Sequence, residues 1–183
     1  GRVQRVGVRG DPDAVAQAHP HARHEPEAVE QRQRRQEHGA VRRDLDVLDH
    51  RGPDGQGRWT SDDGCTFLGH TRLSIIGLDN GVQPISNAQG DVHIAVNGEF
   101  YGYRAIRGHK FRTRSDSEIA LHLYLQHGMR AADSLRGEFA VLIADERRKL
   151  MIAIRDRFGI KPLFYAVIDG GVVFASEIKA LLA

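Results

Sequence analysis

The first 49 residues of this 183-residue chain are written in an alphabet of ten amino acids, and that discontinuity limits where a core can form. From Gly1 to Asp49 there is no Phe, Tyr, Trp, Ile, Met, Cys, Lys, Ser, Thr or Asn, and every aromatic residue and every Ile lies further on. A segment of this kind has little apolar volume to bury and does not offset its own ordering entropy. Its one helical window, Ala28 to Asp46, forms no apolar stripe wide enough to pack. The tract His19-Pro20-His21-Ala22-Arg23-His24 carries metal-ligating side chains but no carboxylate support, so it reads as polar flexible chain. The chain therefore divides into an atypical segment, 1–49, and a packing domain, 50–183. The ten letters favour residues with GC-rich codons, so 1–49 is expected to be an out-of-frame reading or a disordered stretch.

Charge and composition remove several function classes. Net charge is +2, and nine Arg in the first 49 residues are matched by nine Asp or Glu, so no basic face for nucleic acid is expected. Apolar runs such as Phe139 to Ala144 are far too short for a membrane span. No signal or transit segment is evident, and cytoplasm is the expected location. The single cysteine, Cys65, excludes an internal disulfide framework and a multi-cysteine zinc site, and it is expected to be a half-buried structural thiol. There is no phosphate-binding P-loop and no G-x-S-x-G elbow, and Gly55-Gln56-Gly57 lacks the third glycine of a dinucleotide site.

Beyond Asp49 the local signals sharpen. His50-Arg51-Gly52-Pro53-Asp54-Gly55 is dense in turn chemistry. Cys65 to Ile76 and Asp91 to Phe100 read as strands, the second with alternating Val92, Ile94 and Val96. Ser115-Asp116-Ser117-Glu118 has capping-box spacing and predicts a helix that carries Ile119, Ala120, Leu123 and Tyr124 and stops at Gly128. Two hairpins follow: Phe139–Asp145 with Leu150–Arg155, and Pro162–Ile168 with Val172–Ser176 around Asp169-Gly170-Gly171. A last helix starts near Ser176, with Glu177 in its first turn. Adjacent hairpins with few intervening helices predict an α+β domain of antiparallel sheets covered by helices.

Three polar features stand out at strand and helix ends. Asn97-Gly98-Glu99 follows an apolar strand, and an Asn amide beside a Gly N–H is a donor pair suited to an oxyanion; equally, Asn-Gly reads as a turn. Arg72 can fork onto a carboxylate or make a surface ion pair. Asp116 at a helix start can accept an ammonium group or cap the helix.

In order along the chain stand His50-Arg51-Gly52-Pro53-Asp54-Gly55, Gly69-His70-Thr71-Arg72-Leu73-Ser74-Ile75-Ile76, Asn97-Gly98-Glu99, Arg112-Thr113-Arg114-Ser115-Asp116-Ser117-Glu118 and Arg155-Asp156-Arg157-Phe158-Gly159-Ile160-Lys161-Pro162-Leu163. This series resembles the class II glutamine amidotransferase domain, in the form found in the N-terminal half of glutamine-dependent asparagine synthetases, over His50 to Ala183. The resemblance implies a four-layer αββα sandwich of two antiparallel sheets, the N-terminal-nucleophile hydrolase fold, here with its first strand missing or altered. It implies that Arg72 holds the glutamine α-carboxylate, with Leu73, Ser74, Ile75 and Ile76 lining the site. Asn97 and Gly98 would form the oxyanion hole, and Glu99 and Asp116 would orient the substrate, Asp116 at the α-amino group. It further implies ammonia delivery to a synthetase domain that makes asparagine from aspartate with ATP and Mg²⁺, no cofactor in this domain, and leaves a homodimer open. In the family an N-terminal cysteine is the nucleophile and its α-amine the base. This chain begins Gly1-Arg2-Val3, is shortened between Tyr103 and Gly108, and stops at Ala183, so it is expected to be truncated and inactive alone. The alternative is a non-catalytic glutamine-binding or structural relative, as in β-lactam synthetases, which look like this family yet lack the nucleophile.

Overall fold

The computed structural model describes residues 6–9, 45–73, 81–102, 111–113, 115–168 and 171–182. The His19–His24 tract, most of the Ala28–Asp46 window, Ser74 to Ile76, the Tyr103–Gly108 segment, Arg114 and the Asp169-Gly170 turn lie outside those residues. Nine strands are described: β1 (Val6–Arg9), β2 (Gly55–Thr60), β3 (Phe67–Arg72), β4 (Ile85–Ser86), β5 (Val92–Phe100), β6 (Gly137–Asp145), β7 (Leu150–Arg155), β8 (Phe164–Ile168) and β9 (Gly171–Ala175). Three α-helices accompany them: α1 (Glu118–His127), α2 (Ala131–Ser134) and α3 (Ile178–Leu181).

The centre is an antiparallel sheet in the order β1-β7-β6-β5-β4. The first strand is thus altered rather than missing: the N-terminal segment supplies Val6–Arg9, which pairs with β7 and covers that edge. The side-chain alternation of β5, β6 and β7 sorts residues to two faces. One face carries Val92, Ile94, Val96, Phe139, Val141, Ile143, Ile152 and Ile154, packed with Ile119, Leu123 and Tyr124 of α1 into the main buried cluster. Each such side chain contributes roughly 1.5–3 kcal/mol by leaving water. The opposite face carries the small residues Ala95, Ala140, Ala144 and Ala153, all buried. Short side chains there leave room above the sheet. Over this face stands the β2–β3 hairpin, which packs against β5, with the Trp59 ring stacked 3.9 Å from His93. The second expected sheet is present as two separate ladders, β2–β3 and β8–β9, with α3 against the latter.

The helix at Glu118 begins and ends where its sequence predicts, but its cap differs. Ser117 is the N-cap residue, so Glu118 opens the helix instead of sitting three residues inside it. The capping box therefore cannot close: Ser115 Oγ accepts the N–H of Ser117, and the Glu118 carboxylate reaches back to the N–H groups of Arg112 and Thr113 at 2.8 and 2.6 Å. Gly128, at φ 58°, stops the helix, its N–H bonded to the Tyr124 carbonyl. β2 is a further departure, because the sequence predicts no strand directly after the His50–Gly55 turn; pairing with β3, from Gly55 opposite Arg72 to Thr60 opposite Phe67, makes one. Cys65 is exposed, not half-buried, because it lies in the turn between β2 and β3, its N–H bonded to Asp63 Oδ1 at 3.0 Å.

Leu45, near the start of the described chain, is 3% exposed and packs against the α-carbon of Gly69. Burial was therefore not confined to residues past 49. Among the described residues no helix is long and apolar enough to cross a membrane.

Tyr124 donates its hydroxyl to Asp145 Oδ2 at 2.7 Å inside the core. Burial, then the Asp145 bond, push the Tyr124 hydroxyl up to about 12. Tyr124→Phe leaves a carboxylate 1% exposed without this donor. A loss of about 1–3 kcal/mol of unfolding free energy is expected in urea titrations.

Candidate functional site

The room above the small-residue face is a cleft of about 790 Å³. Arg72, Leu73, Asn97, Gly98, Glu99 and Asp116 all line it, so three widely spaced segments of sequence converge there. Ser74, Ile75 and Ile76 lie outside the described residues.

Arg72 ends β3, and the His50–Gly55 segment exists to hold its backbone. Pro53 bridges to Arg72, and the Asp54 N–H bonds the Arg72 carbonyl at 3.0 Å. Gly52 lies so close that a Cβ there would collide with the Arg72 backbone nitrogen. His50 and Arg51 reach the other way, to Glu177 Oε1 at 3.1 and 2.9 Å. Leu73, immediately after, is 57% exposed.

Asn97, Gly98 and Glu99 are inside β5, not in a turn, opposite Ala140, Phe139 and Glu138 of β6. That pairing excludes the turn reading of Asn-Gly. Gly98 adopts φ +139°, where a Cβ would meet the Glu138 carbonyl oxygen and sit 2.7 Å from the Phe139 α-carbon. Gly137 mirrors it at φ +148°, against the Glu99 carbonyl. Glycine on both strands lets the two backbones close together at the cleft. Glu99 directly opposes Glu138, an unfavourable cross-strand pair. Glu138 is compensated by the Tyr101 hydroxyl at 2.8 Å and Lys161 Nζ at 3.2 Å, and these two groups hold its carboxyl below the usual range.

The free edge of β5 is finished by side chains. Because β4 is only Ile85–Ser86, it ends opposite Ile94 and His93. Beyond it the Gln83 carboxamide takes over: Val96 N–H donates to Gln83 Oε1 at 2.6 Å, and Gln83 Nε2 donates to the Val96 carbonyl at 3.1 Å. Further along, Phe100 N–H donates to Asp116 Oδ2 at 2.7 Å. Antiparallel alternation directs the N–H of Gly98, midway between, to the same edge. Neither reading of Asp116 anticipated this: its carboxylate bonds a strand amide, while only its backbone carbonyl serves the helix, accepting from Ile119 N–H.

Three buried side-chain polar atoms have no hydrogen-bond partner among the described residues: Asn97 Nδ2, His70 Nδ1 and His93 Nε2. An unsatisfied buried amide donor costs about 1–3 kcal/mol, which makes Asn97 Nδ2 a candidate donor to a ligand. His70, two residues before Arg72, also lines the cleft. Its Nε2 donates to the Val96 carbonyl at 3.1 Å, and its Nδ1 has no partner among the described residues. Burial pushes the His70 imidazole down, the Val96 bond opposing and the Arg72 charge adding to the shift. The residues missed at the sequence level are thus Gln83 and His70, the first carrying only the weak signal of a Gln-Pro before a strand. No grouping of His, Cys, Asp and Glu able to hold a metal is found among the described residues.

The solved structure of glutamine phosphoribosylpyrophosphate amidotransferase from B. subtilis, complexed with ADP and GMP, is similar over 75% of this chain and 39% of its own, with a TM-score of 0.61 and 26% identity. Residues 28–183 match the family model described as a glutamine amidotransferase domain, and the chain belongs to that family. The match begins well before residue 50, ahead of the composition boundary. The chain is 47% identical over 145 residues to the amidase chry2 of Gibberella zeae, covering 76% of this chain and 22% of that protein. It is 45% identical over 139 residues to asparagine synthetase 3 of Arabidopsis thaliana, covering 73% and 24%. It is 40% identical over 142 residues to asparagine synthetase 2 of Bacillus subtilis, covering 75% and 19%. The chain therefore spans a quarter or less of the length of these curated relatives. It is a glutamine amidotransferase domain homologous to the glutamine-hydrolysing domains of asparagine synthetases.

Two outcomes test this geometry. Gly98→Ala is expected to lower unfolding free energy by about 2–3 kcal/mol, measured in denaturant, since the side chain meets backbone on the facing strand. Glu177 is held down to about 2, first by Arg51, with burial opposing and His50 and Lys179 adding to it. A depressed folded value stabilises above the unfolded value of 4.5 and is lost as pH falls toward about 2. The melting temperature of Glu177→Gln should accordingly fall less than that of the parent between those pH values.

Proposed function

We propose that the cleft binds L-glutamine, and that in the complete protein this domain supplies ammonia from the glutamine side chain to a synthetase domain. The observation that carries the reading is the buried Asn97 Nδ2, without a partner among the described residues, beside Gly98. Its donor and the Gly98 N–H suit the side-chain carbonyl of glutamine, where negative charge develops when the amide is attacked. Arg72 offers a fork for the α-carboxylate, and Asp116, with one oxygen on Phe100, offers its charge to the α-ammonium group. Glu99 stands at the same cleft and orients the substrate alongside them. Homology to asparagine synthetases supports aspartate as the acceptor and ATP with Mg²⁺ as requirements of the synthetase domain.

A second reading is binding without turnover, because the thiol of Cys65, exposed in a mid-chain turn, has no α-amine of its own to act as base. Calorimetric titration of the chain with L-glutamine, run beside an ammonia assay, separates the readings. Saturable binding is expected, weakened about 10- to 100-fold by Arg72→Ala through loss of charge-assisted bonds. Absence of binding to the parent chain would sink the glutamine reading. Ammonia release that disappears in Cys65→Ser would exclude binding without turnover.

A further inference from the structure

The Gln83 side chain is 13 residues from Val96 in sequence, yet it makes both hydrogen bonds that a neighbouring strand would make to that residue. It is also 7% exposed, too deep to be an incidental surface contact. Its Nε2 lies 3.4 Å from Ser117 Oγ as well, so one carboxamide ties β5 to the residue that follows Asp116. The backbone on which it rides is fixed in turn: Gly57 of β2 lies so close to the Gln83 carbonyl oxygen that no Cβ fits between them. From the cleft side, His70 Nε2 donates to the Val96 carbonyl, so that oxygen accepts two N–H groups and the peptide cannot rotate freely.

Val96 immediately precedes Asn97 and Gly98. We propose that Gln83 is a positioning residue of the glutamine site, which holds the Val96 peptide so that Asn97 Nδ2 and Gly98 N–H converge on the ligand carbonyl; this rests on the glutamine reading above. The chemistry favours an amide over other side chains. Val96 presents one donor and one acceptor pointing the same way, and a carboxamide alone among side chains of this length matches both without charge. The alternative seal, another residue of β4, would carry the edge strand across the cleft. A side chain ends where the strand would continue, and so leaves the edge at Gly98 open. Gln83 thus does two things at once: it satisfies the edge amides before the site and stops the ladder short of it.

The test uses the full chain and L-glutamine, followed by calorimetry and by two nuclear magnetic resonance reporters, the Gly98 backbone amide and the Arg72 Nε–H. Gln83→Leu keeps the approximate volume and removes both bonds. The expected result is a rise in Kd of about tenfold, with the glutamine-induced shift at Gly98 reduced and that at Arg72 retained. Wild-type affinity with an unchanged Gly98 shift overturns the proposal and leaves the glutamine reading standing. Loss of both reporters together overturns it too, because it marks general damage rather than misaimed donors. If Gln83→Leu does not fold, Gln83→Glu carries the test: it keeps the acceptor for Val96 N–H and loses the donor, and an unchanged Kd overturns the proposal. No binding to the parent chain identifies the glutamine reading itself as the failure, and the proposal falls with it.

Discussion

A strand edge left unpaired in the middle of a fold has to be satisfied without being closed, and β5 meets that requirement with side chains. Its amides at Val96 and Phe100 bond to Gln83 and Asp116, which come from separate loops. Pairing with a full strand would satisfy the same groups but would bury Gly98. Leaving them to water would give an edge open to non-native pairing. The carboxamide and the carboxylate solve both difficulties. They also pull the loop before β4 and the loop before α1 onto the same strand, and this brings Asp116 to the cleft that Asn97 and Gly98 line.

The other side of the cleft depends on glycine in a similar way. Gly52 lets the His50–Gly55 segment lie on the Arg72 backbone, Gly57 lets β2 lie on Gln83, and Gly98 and Gly137 let β5 and β6 approach each other. In each case the space a Cβ would occupy is filled by main chain, so substitution moves backbone rather than a flexible side chain. These contacts position Arg72, Gln83 and Asn97 relative to one another through rigid peptide groups. The main hydrophobic cluster lies on the far face of the central sheet, away from these contacts.

Much of this was legible in the sequence, for identifiable reasons. β5, β6 and β7 lie within a residue or two of their expected bounds because Val, Ile and Leu alternate cleanly with small residues. α1 has its apolar positions at helical spacing and a glycine stop at Gly128. What escaped was set by distant contacts. β2 gives no clear strand signal, because Gly57 serves the approach to Gln83 rather than side-chain alternation. Asp116 looks like a cap because a carboxylate before a helix usually is one, whereas here Phe100 is the stronger claimant. Gln83 is only weakly marked locally, since a Gln-Pro before a strand does not say that its side chain completes a ladder with Val96, 13 residues away.

The two faces of one sheet show why fold and site can be read from the same nine residues of β5 yet by different rules. Val92, Ile94 and Val96 on one face are interchangeable in kind, since any branched apolar residue of similar volume fills that layer. His93, Ala95 and Asn97 on the other are not, because His93 stacks on the Trp59 ring while Ala95 and Asn97 line the cleft. Period-two alternation specifies which residues share a face and nothing about what the polar face meets. That has to come from the structure, which buries the Asn97 amide donor at the cleft without a partner among the described residues.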